Sequence, residues 1–299
     1  MRVSDKILYN TVTNNLQRNL EKLLEVQESA SSGKRINRPS NDPIGVMKVI
    51  DYNTAISKAE QYQRNIDNGM VFLSTTESAI STTQQIIVRA KELTISALND
   101  TNGPAERAMI AKEIEQLHLQ AIQIANTKIS NRYIFAGYNT SAPPYNQDGT
   151  YDGTASSDPG GGYIKVEIDS GSTIAINMPG YRAFVTSDDI DILGTLDDLK
   201  TALEGNDRDG INNAVANLDD AMDHLSEVRA EIGARINRLE TAKEYLSKLN
   251  LDLIEYKSEV EDADITDVIT QLAMQQNVLE MSRAVAARTL QQSLLDFLK

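Results

Sequence analysis

The sequence contains no cysteine and no tryptophan, and aromatic residues make up only 5% of its 299 positions. Without cysteine there is no disulfide, no thiolate nucleophile and no thiolate metal site. Histidine is scarce too. His118 and His224 lie far apart within helical patterns, so each is expected to be an ordinary surface or half-buried residue. No cofactor and no metal are expected. No stretch approaches the ~20 apolar residues of a membrane span. The opening residues, Met1 to Thr11, have no unbroken apolar core and no cleavage motif, unlike a secretory signal. Positive charge is in deficit, with 29 Lys and Arg against 43 Asp and Glu and a net charge of −14. That disfavours nucleic acid and anionic membrane surfaces as partners, since both need a positive field. The expectation is a soluble protein that, if exported, leaves by a route using no such signal.

What is present is aliphatic and periodic. Apolar residues reach 40%, enough for a core, and the length allows two or three domains. The pattern turns on Ser29-Ala-Ser-Ser-Gly-Lys-Arg-Ile-Asn-Arg-Pro-Ser-Asn-Asp-Pro43. Gly33 is a helix stop, and Arg38 precedes a proline that biases it out of the helical region. Asp42 suits an N-cap, with Pro43 at the first helical position. One helix therefore ends and another begins across an ordered joint. Before it, residues 1 to about 32 carry a stripe of Tyr9, Val12, Leu16, Leu20, Leu23 and Ala30, interrupted by Gln27. Such a helix needs a partner. After it, a helix over about 43–99 repeats Tyr52, Ala59, Ile66, Leu73, Ile80 and Ile87 every seven residues. Its companion seam is expected at Val49, Ile56 and Met70, alternating with Gln63, Glu77 and Gln84. A helix of this length would measure ~80 Å, the dimension of a rod.

Asn99 to Pro104 breaks the pattern, and Ile110, Ile114, Leu117, Ala121 and Ile124 predict a helix to about 135. Another, over about 208–261, shows Ile211, Val215, Leu218, Met222, Leu225, Ile232, Ile236, Leu239, Leu246, Leu249 and Leu253 on one face. These long helices imply an elongated antiparallel bundle. Residues 139–195 differ, being rich in Gly, Ser, Asp, Thr and Pro. Period-two runs at Tyr163–Ile168 and Thr173–Met178 flank Asp169-Ser-Gly-Ser172 as a hairpin. A small inserted β domain projecting from the rod is expected. The last segment, 263–299, has two apolar stripes. One is Ile265, Ile269, Leu272, Leu279, Ala286, Leu290, Leu294 and Phe297; the other is Met274, Val278, Met281 and Val285. Two such faces require more than one neighbour, so packing against copies of the chain is expected.

Both ends carry recognisable motifs. Ser31-Ser-Gly-Lys-Arg-Ile-Asn37 with Ser40-Asn-Asp-Pro43 resembles the N-terminal signature of the flagellins and hook–filament junction proteins. Glu261-Asp-Ala-Asp-Ile265, followed by Gln271, Gln275 and Gln276, is similar to their C-terminal signature. Asp42-Pro43, Asn131-Arg-Tyr-Ile-Phe-Ala-Gly137, Ala142-Pro-Pro-Tyr145 and Ile174-Ala-Ile-Asn-Met-Pro-Gly180 resemble the junction subfamily rather than flagellin. Asn41 departs from the usual Asp but keeps a polar cap possible.

The resemblance implies a mainly α fold, an elongated helical bundle with terminal coiled-coil helices and a small inserted β domain. Residues 1–43 with 265–299 would form an inner tube, 44–138 with 196–264 a rod, and 139–195 the outer surface. It implies a secreted structural protein of the bacterial flagellum, exported largely unfolded by the type III apparatus with an export chaperone. Its implied partners are the first hook-associated protein, flagellin and copies of itself in a ring. The residues expected to carry assembly are Leu16, Leu20, Leu23, Arg35, Arg38, Asp42, Leu272, Leu279, Val285, Leu290 and Leu294. Leu279, Val285 and Leu290 are expected on one surface used in turn by chaperone and tube wall.

Other classes fit less well. Asn146-Gln-Asp-Gly-Thr-Tyr-Asp-Gly153 lacks the ligand register and distal Glu of a calcium loop, and turn chemistry accounts for it. The pairs Asp188-Asp189 and Asp219-Asp220 suit helix ends and solvated faces, so no catalytic residue is expected. Flagellin itself, or a coiled-coil translocator or adhesin, are the alternatives; the last would need membrane-active apolar stretches.

Overall fold

The computed structural model describes residues 2–99, 103–154 and 160–297, the side chains of 1–5, 8 and 289–299 lying outside the description. The elements run α1 (Arg2–Ser32), α2 (Pro43–Leu98), α3 (Pro104–Ala125), β1 (Lys128–Ile129), β2 (Arg132–Tyr133), β3 (Lys165–Asp169), β4 (Ser172–Ala175), α4 (Gly180–Phe184), α5 (Ile192–Glu204), α6 (Arg208–Glu261) and α7 (Ile265–Phe297). The fold is mainly α, with little strand, and its long helices start where the capping signals place them. Two compact units result, 59–248 and 1–58 with 249–299, and α2 and α6 contribute to both.

The core of 59–248 follows the seven-residue pattern. On α2, Ile66, Leu73, Ile80 and Ile87 are fully buried. The companion seam is not the expected one. Gly69, Thr76, Thr83, Ala90 and Ala97 are buried, whereas Gln63, Met70, Glu77 and Gln84 are half-buried. The cause is steric, because small side chains admit a close neighbour that larger ones would hold off. A Cβ on Gly69 would lie 2.6 Å from Ile176 Cγ2 and 3.4 Å from Leu239 Cδ1. The buried Thr76 and Thr83 hydroxyls donate to the carbonyls of Phe72 and Ala79, 2.8 and 3.0 Å away, so no polar atom is stranded.

α6 answers with Ile211, Leu218, Leu225, Ile232, Leu239 and Leu246, alternating with smaller residues such as Ala214 and Ala221; Val215 is only half-buried. Arg229–Glu77 at 2.6 Å, Lys243–Asp67 at 2.7 Å and a Lys91–Asp219 pair fix α6 antiparallel to α2.

α3 stops at Ala125 rather than near 135. Ser130 and Asn131 both take positive φ, 46° and 66°, and close a two-residue hairpin between β1 and β2. Paired positive φ values match the twist of a tight hairpin. α5 was not expected. Its start is capped by Asp191, which accepts from Leu193 N–H at 3.0 Å, and Ile192, Leu193, Leu196, Leu199 and Leu203 bury its inner face. α5 packs on α3.

The predicted hairpin is present as β3–β4, with Gly171 at φ 78° in its turn. It lies along the bundle helices rather than projecting from them. Asn65 Nδ2 donates to the Glu167 carbonyl at 2.9 Å, and Arg235 Nη1 to that of Asn177 at 3.0 Å. Before it, the described residues of 139–164 are largely turns, and beside them Phe135 and Phe184 meet edge to face at 4.9 Å.

Candidate assembly surface and joint

Within 1–58 and 249–299, α1 and α7 form an antiparallel pair. The half-buried positions of α1 include Val12, Leu16, Asn19, Leu23, Val26 and Ala30, in steps of four and three. The less exposed positions of α7 are Val268, Leu272, Gln275, Leu279, Ser282 and Ala286, in the same rhythm. This is a coiled-coil seam. A polar rung crosses it, Asn19 Nδ2 donating to Ser282 Oγ at 2.7 Å.

Of the residues predicted for assembly, Leu16, Leu23, Leu272 and Leu279 therefore face the partner helix. Leu20 does not. The seam passes through Asn19, one residue earlier, which turns Leu20 about 100° away from it and leaves it 43% exposed. Leu279 is 7% exposed and Val285 61%, so they do not share a surface. Val285 belongs to the second stripe with Met274, Val278 and Met281, all exposed. That stripe borders a groove of about 300 Å³ whose other wall is Val12 and Leu16. The side chains of Leu290 and Leu294 lie outside the described residues.

The joint is stapled to the other end of the chain. Gly33 takes φ 71° after its N–H bonds the Ser29 carbonyl at 2.9 Å, the left-handed stop expected of glycine. Lys34 then pairs with Asp262 as an isolated antiparallel bridge. Arg35 N–H donates to the Glu261 carbonyl at 2.8 Å, and Ala263 N–H to that of Gly33 at 2.9 Å. Side chains repeat the link. Lys34 Nζ reaches Glu261 Oε1 at 2.5 Å, and Arg35 Nη2 donates to the Val260 carbonyl at 2.8 Å. Glu261 and Ile36 are both buried.

Arg38 pairs with Glu28 at 2.9 Å and Arg35 with Asp42 at 3.5 Å, so both predicted arginines serve the chain's own joint. Asp42 caps α2, its Oδ1 accepting from Gly45 N–H at 2.9 Å. That backbone bond, helped by Arg35, holds its carboxyl below the ordinary value. Asp264 caps α7 in the same manner through Thr266 N–H at 2.8 Å, and its carboxyl is lowered by that bond. Lys34, Ile36 and Glu261 went unassigned in the sequence, although the opposite charges of Lys34 and Glu261 stand within the two terminal motifs. Among the described residues no cluster of three or more His, Cys, Asp or Glu could hold a metal ion.

The model of the bacterial flagellin N-terminal helical region matches residues 3–140, and that of the C-terminal helical region matches 215–298. The chain belongs to the flagellin family. Among its relatives in this family is flagellar hook-associated protein 3 of Escherichia coli, 28% identical over 306 residues, covering 94% of this chain and 95% of that one. The flagellar filament 30.7 kDa core protein of Treponema maltophilum is 28% identical over 273 residues, covering 91% and 88%. The crystal structure of Bacillus cereus FlgL superposes with a TM-score of 0.58 at 25% identity, covering 70% of this chain and 99% of that one. This is a flagellar structural protein, and the exposed α7 stripe and the α1–α7 seam belong to its flagellin-like terminal helices.

Proposed function

We propose that the chain forms the junction between hook and filament. It would assemble as a ring of copies between the first hook-associated protein and the first flagellin subunits, after type III export with a dedicated chaperone. The observation that carries this reading is the end-to-end similarity to a hook-associated protein 3, over 94% of this chain and 95% of that one. Physically, α7 keeps Met274, Val278, Met281 and Val285 outside the seam with α1. Burying such side chains yields ~1.5–3 kcal/mol each, a driving force available only on contact with another surface. Residues 1–43 with 265–299 would line the inner tube, 44–138 with 196–264 the next layer and 139–195 the outside. Arg35 and Arg38 would serve neighbouring copies as well as their own joint. No catalytic role is assigned to any residue.

Deletion of the gene in the source bacterium tests the reading. Hooks without filaments, with flagellin released into the medium, are expected, and the intact gene should restore filaments. The similarity to a filament core protein favours a second reading, a filament subunit. That reading predicts that the purified protein polymerises into long filaments under electron microscopy, whereas a junction protein stays unpolymerised without its neighbours.

A further inference from the structure

His118 lies on α3 and is 5% exposed, enclosed by α5 and by the turn 145–151. From α5, Asp197 Oδ1 stands 4.0 Å from its Nδ1, with Lys200 and the capping carboxylate of Asp191 as further charges. From α3 itself comes Glu115. The turn presents backbone. Gly149 sits at φ 85°, and a Cβ there would lie 3.1 Å from His118 Nε2, 3.6 Å from Leu193 Cβ and 3.7 Å from Ile122 Cδ1. The turn's own acid, Asp148, is engaged with the Thr150 hydroxyl at 2.7 Å.

His118 Nε2 has no hydrogen-bond partner among the described residues. In a neutral ring with its proton on Nδ1, facing Asp197, Nε2 is only an unfilled acceptor. A second proton would turn it into a donor with nothing to accept, on a charge withdrawn from water.

We propose that His118 is a pH-sensitive clamp: while neutral it holds the turn 145–151 and the start of α5 onto α3, and its protonation at Nε2 releases them. The turn is also tied by the Asn126 amide, which exchanges two bonds with the Tyr145 backbone at 2.9 and 3.0 Å, and by the Tyr151 hydroxyl, which donates to the Phe135 carbonyl at 3.2 Å. Desolvation depresses the titration of His118 more than Asp197 raises it. The closed state then binds the proton less well than the open one, so its stability is present at neutral pH and is lost as pH falls below about 6.5, the ordinary His value. Asp191 has the opposite sign. Burial raises its carboxyl, so the closed state gains from its protonation, but only at lower pH, nearer the carboxylate range.

Hydrogen–deuterium exchange of the full chain at pH 7.5 and 5.5, corrected for intrinsic rates, tests this. Protection of 145–151 and 191–196 should fall at the lower pH, by at most about tenfold for a single proton, with the middle of α2 unchanged. His118→Gln should abolish the pH dependence, while His224→Gln should keep it. In the wild-type protein the His118 ring should titrate below the ordinary midpoint by NMR, a measurement that decides the matter even where the variant fails to fold. Equal protection at both pH values, a pH response surviving in H118Q, or an ordinary or raised His118 midpoint would each overturn the clamp.

Discussion

Residues 59–248 bury Ile66, Leu73, Ile80 and Ile87 of α2 completely, and Ile211 to Leu246 of α6 close over them. In 1–58 with 249–299 the same seven-residue rhythm runs through α1 and α7, yet the α1 seam stays half-buried and α7 keeps a second apolar stripe in the open. The difference lies in how many neighbours each helix has. In the first unit a helix is covered on more than one side by the same chain. In the second, α1 and α7 meet along a single seam, and two helices bury too little to hold firmly by themselves. Periodicity tells which side of a helix is apolar; it does not tell whether the chain itself supplies the cover.

The largest effect should come from the well-covered unit. Leu73→Ala removes a fully buried side chain and should cost ~2–5 kcal/mol in denaturant unfolding. Met281→Asp, by contrast, should leave the melting temperature of the unassembled protein unchanged while abolishing filament attachment in a motility complementation assay. A melting loss from M281D comparable with that of L73A would erase the contrast between the units.

Next in size is the seam. Leu279→Ala should destabilise the α1–α7 pair by about 2 kcal/mol, near the lower end for such truncations, since the site is less enclosed. Exchange rates confined to α1 and α7 should report it. Limited proteolysis sharpens the same point: residues 1 to about 40 and 265–299 should be trimmed before 59–248. Equal resistance of all three would mean that the pair is as firmly held as the bundle.

A smaller loss, ~1 kcal/mol, is expected from Lys34→Met, because Lys34 is part-exposed and Glu261 retains Lys257 at 3.7 Å. Faster exchange at 33–36 and 260–263 would register it. The smallest effect concerns the caps. Asp42 and Asp264 have carboxyls held below the ordinary 3.8 by backbone donors. The folded state therefore releases their protons more readily, and their contribution is present above about pH 4 and lost as pH falls through the lowered value. Helix-start amides at Gly45 and Thr266 should lose protection in that range, and Asp42→Asn with Asp264→Asn should remove the pH dependence.

The sequence made the long helices legible because their signals are local: Asp42-Pro43, Gly33 and Pro104 fix starts and stops within a few residues. The column from Ile66 to Ile87 was equally plain. Its companion was not, because Gly69, Thr76, Thr83, Ala90 and Ala97 carry little hydrophobic signal and are buried for being small. Leu20 stands on the stripe by spacing, but the seam runs through Asn19, whose amide donates to Ser282, 263 residues away. The hairpin at Ser130-Asn131 and helix α5 were hidden for a related reason. The first is two residues of unusual φ inside a helical-looking run, and the second sits beside a glycine-rich segment. At the joint, each half of the Lys34–Glu261 staple could be read, but their meeting could not.

That staple has a consequence for the order in which the molecule comes together. Lys34 and Glu261 are 227 residues apart, and closing a loop of that length in a loose chain costs roughly 5 kcal/mol of entropy by length scaling alone. A short two-stranded bridge and one ion pair do not recover so much. The antiparallel course of α2 and α6 lowers the cost, since docking Asp67 beside Lys243 shortens the loop left to close. The joint is thus the last knot tied and the first to slip, and the terminal helices inherit its timing. Both extremities of the chain thus stay open until its middle has set.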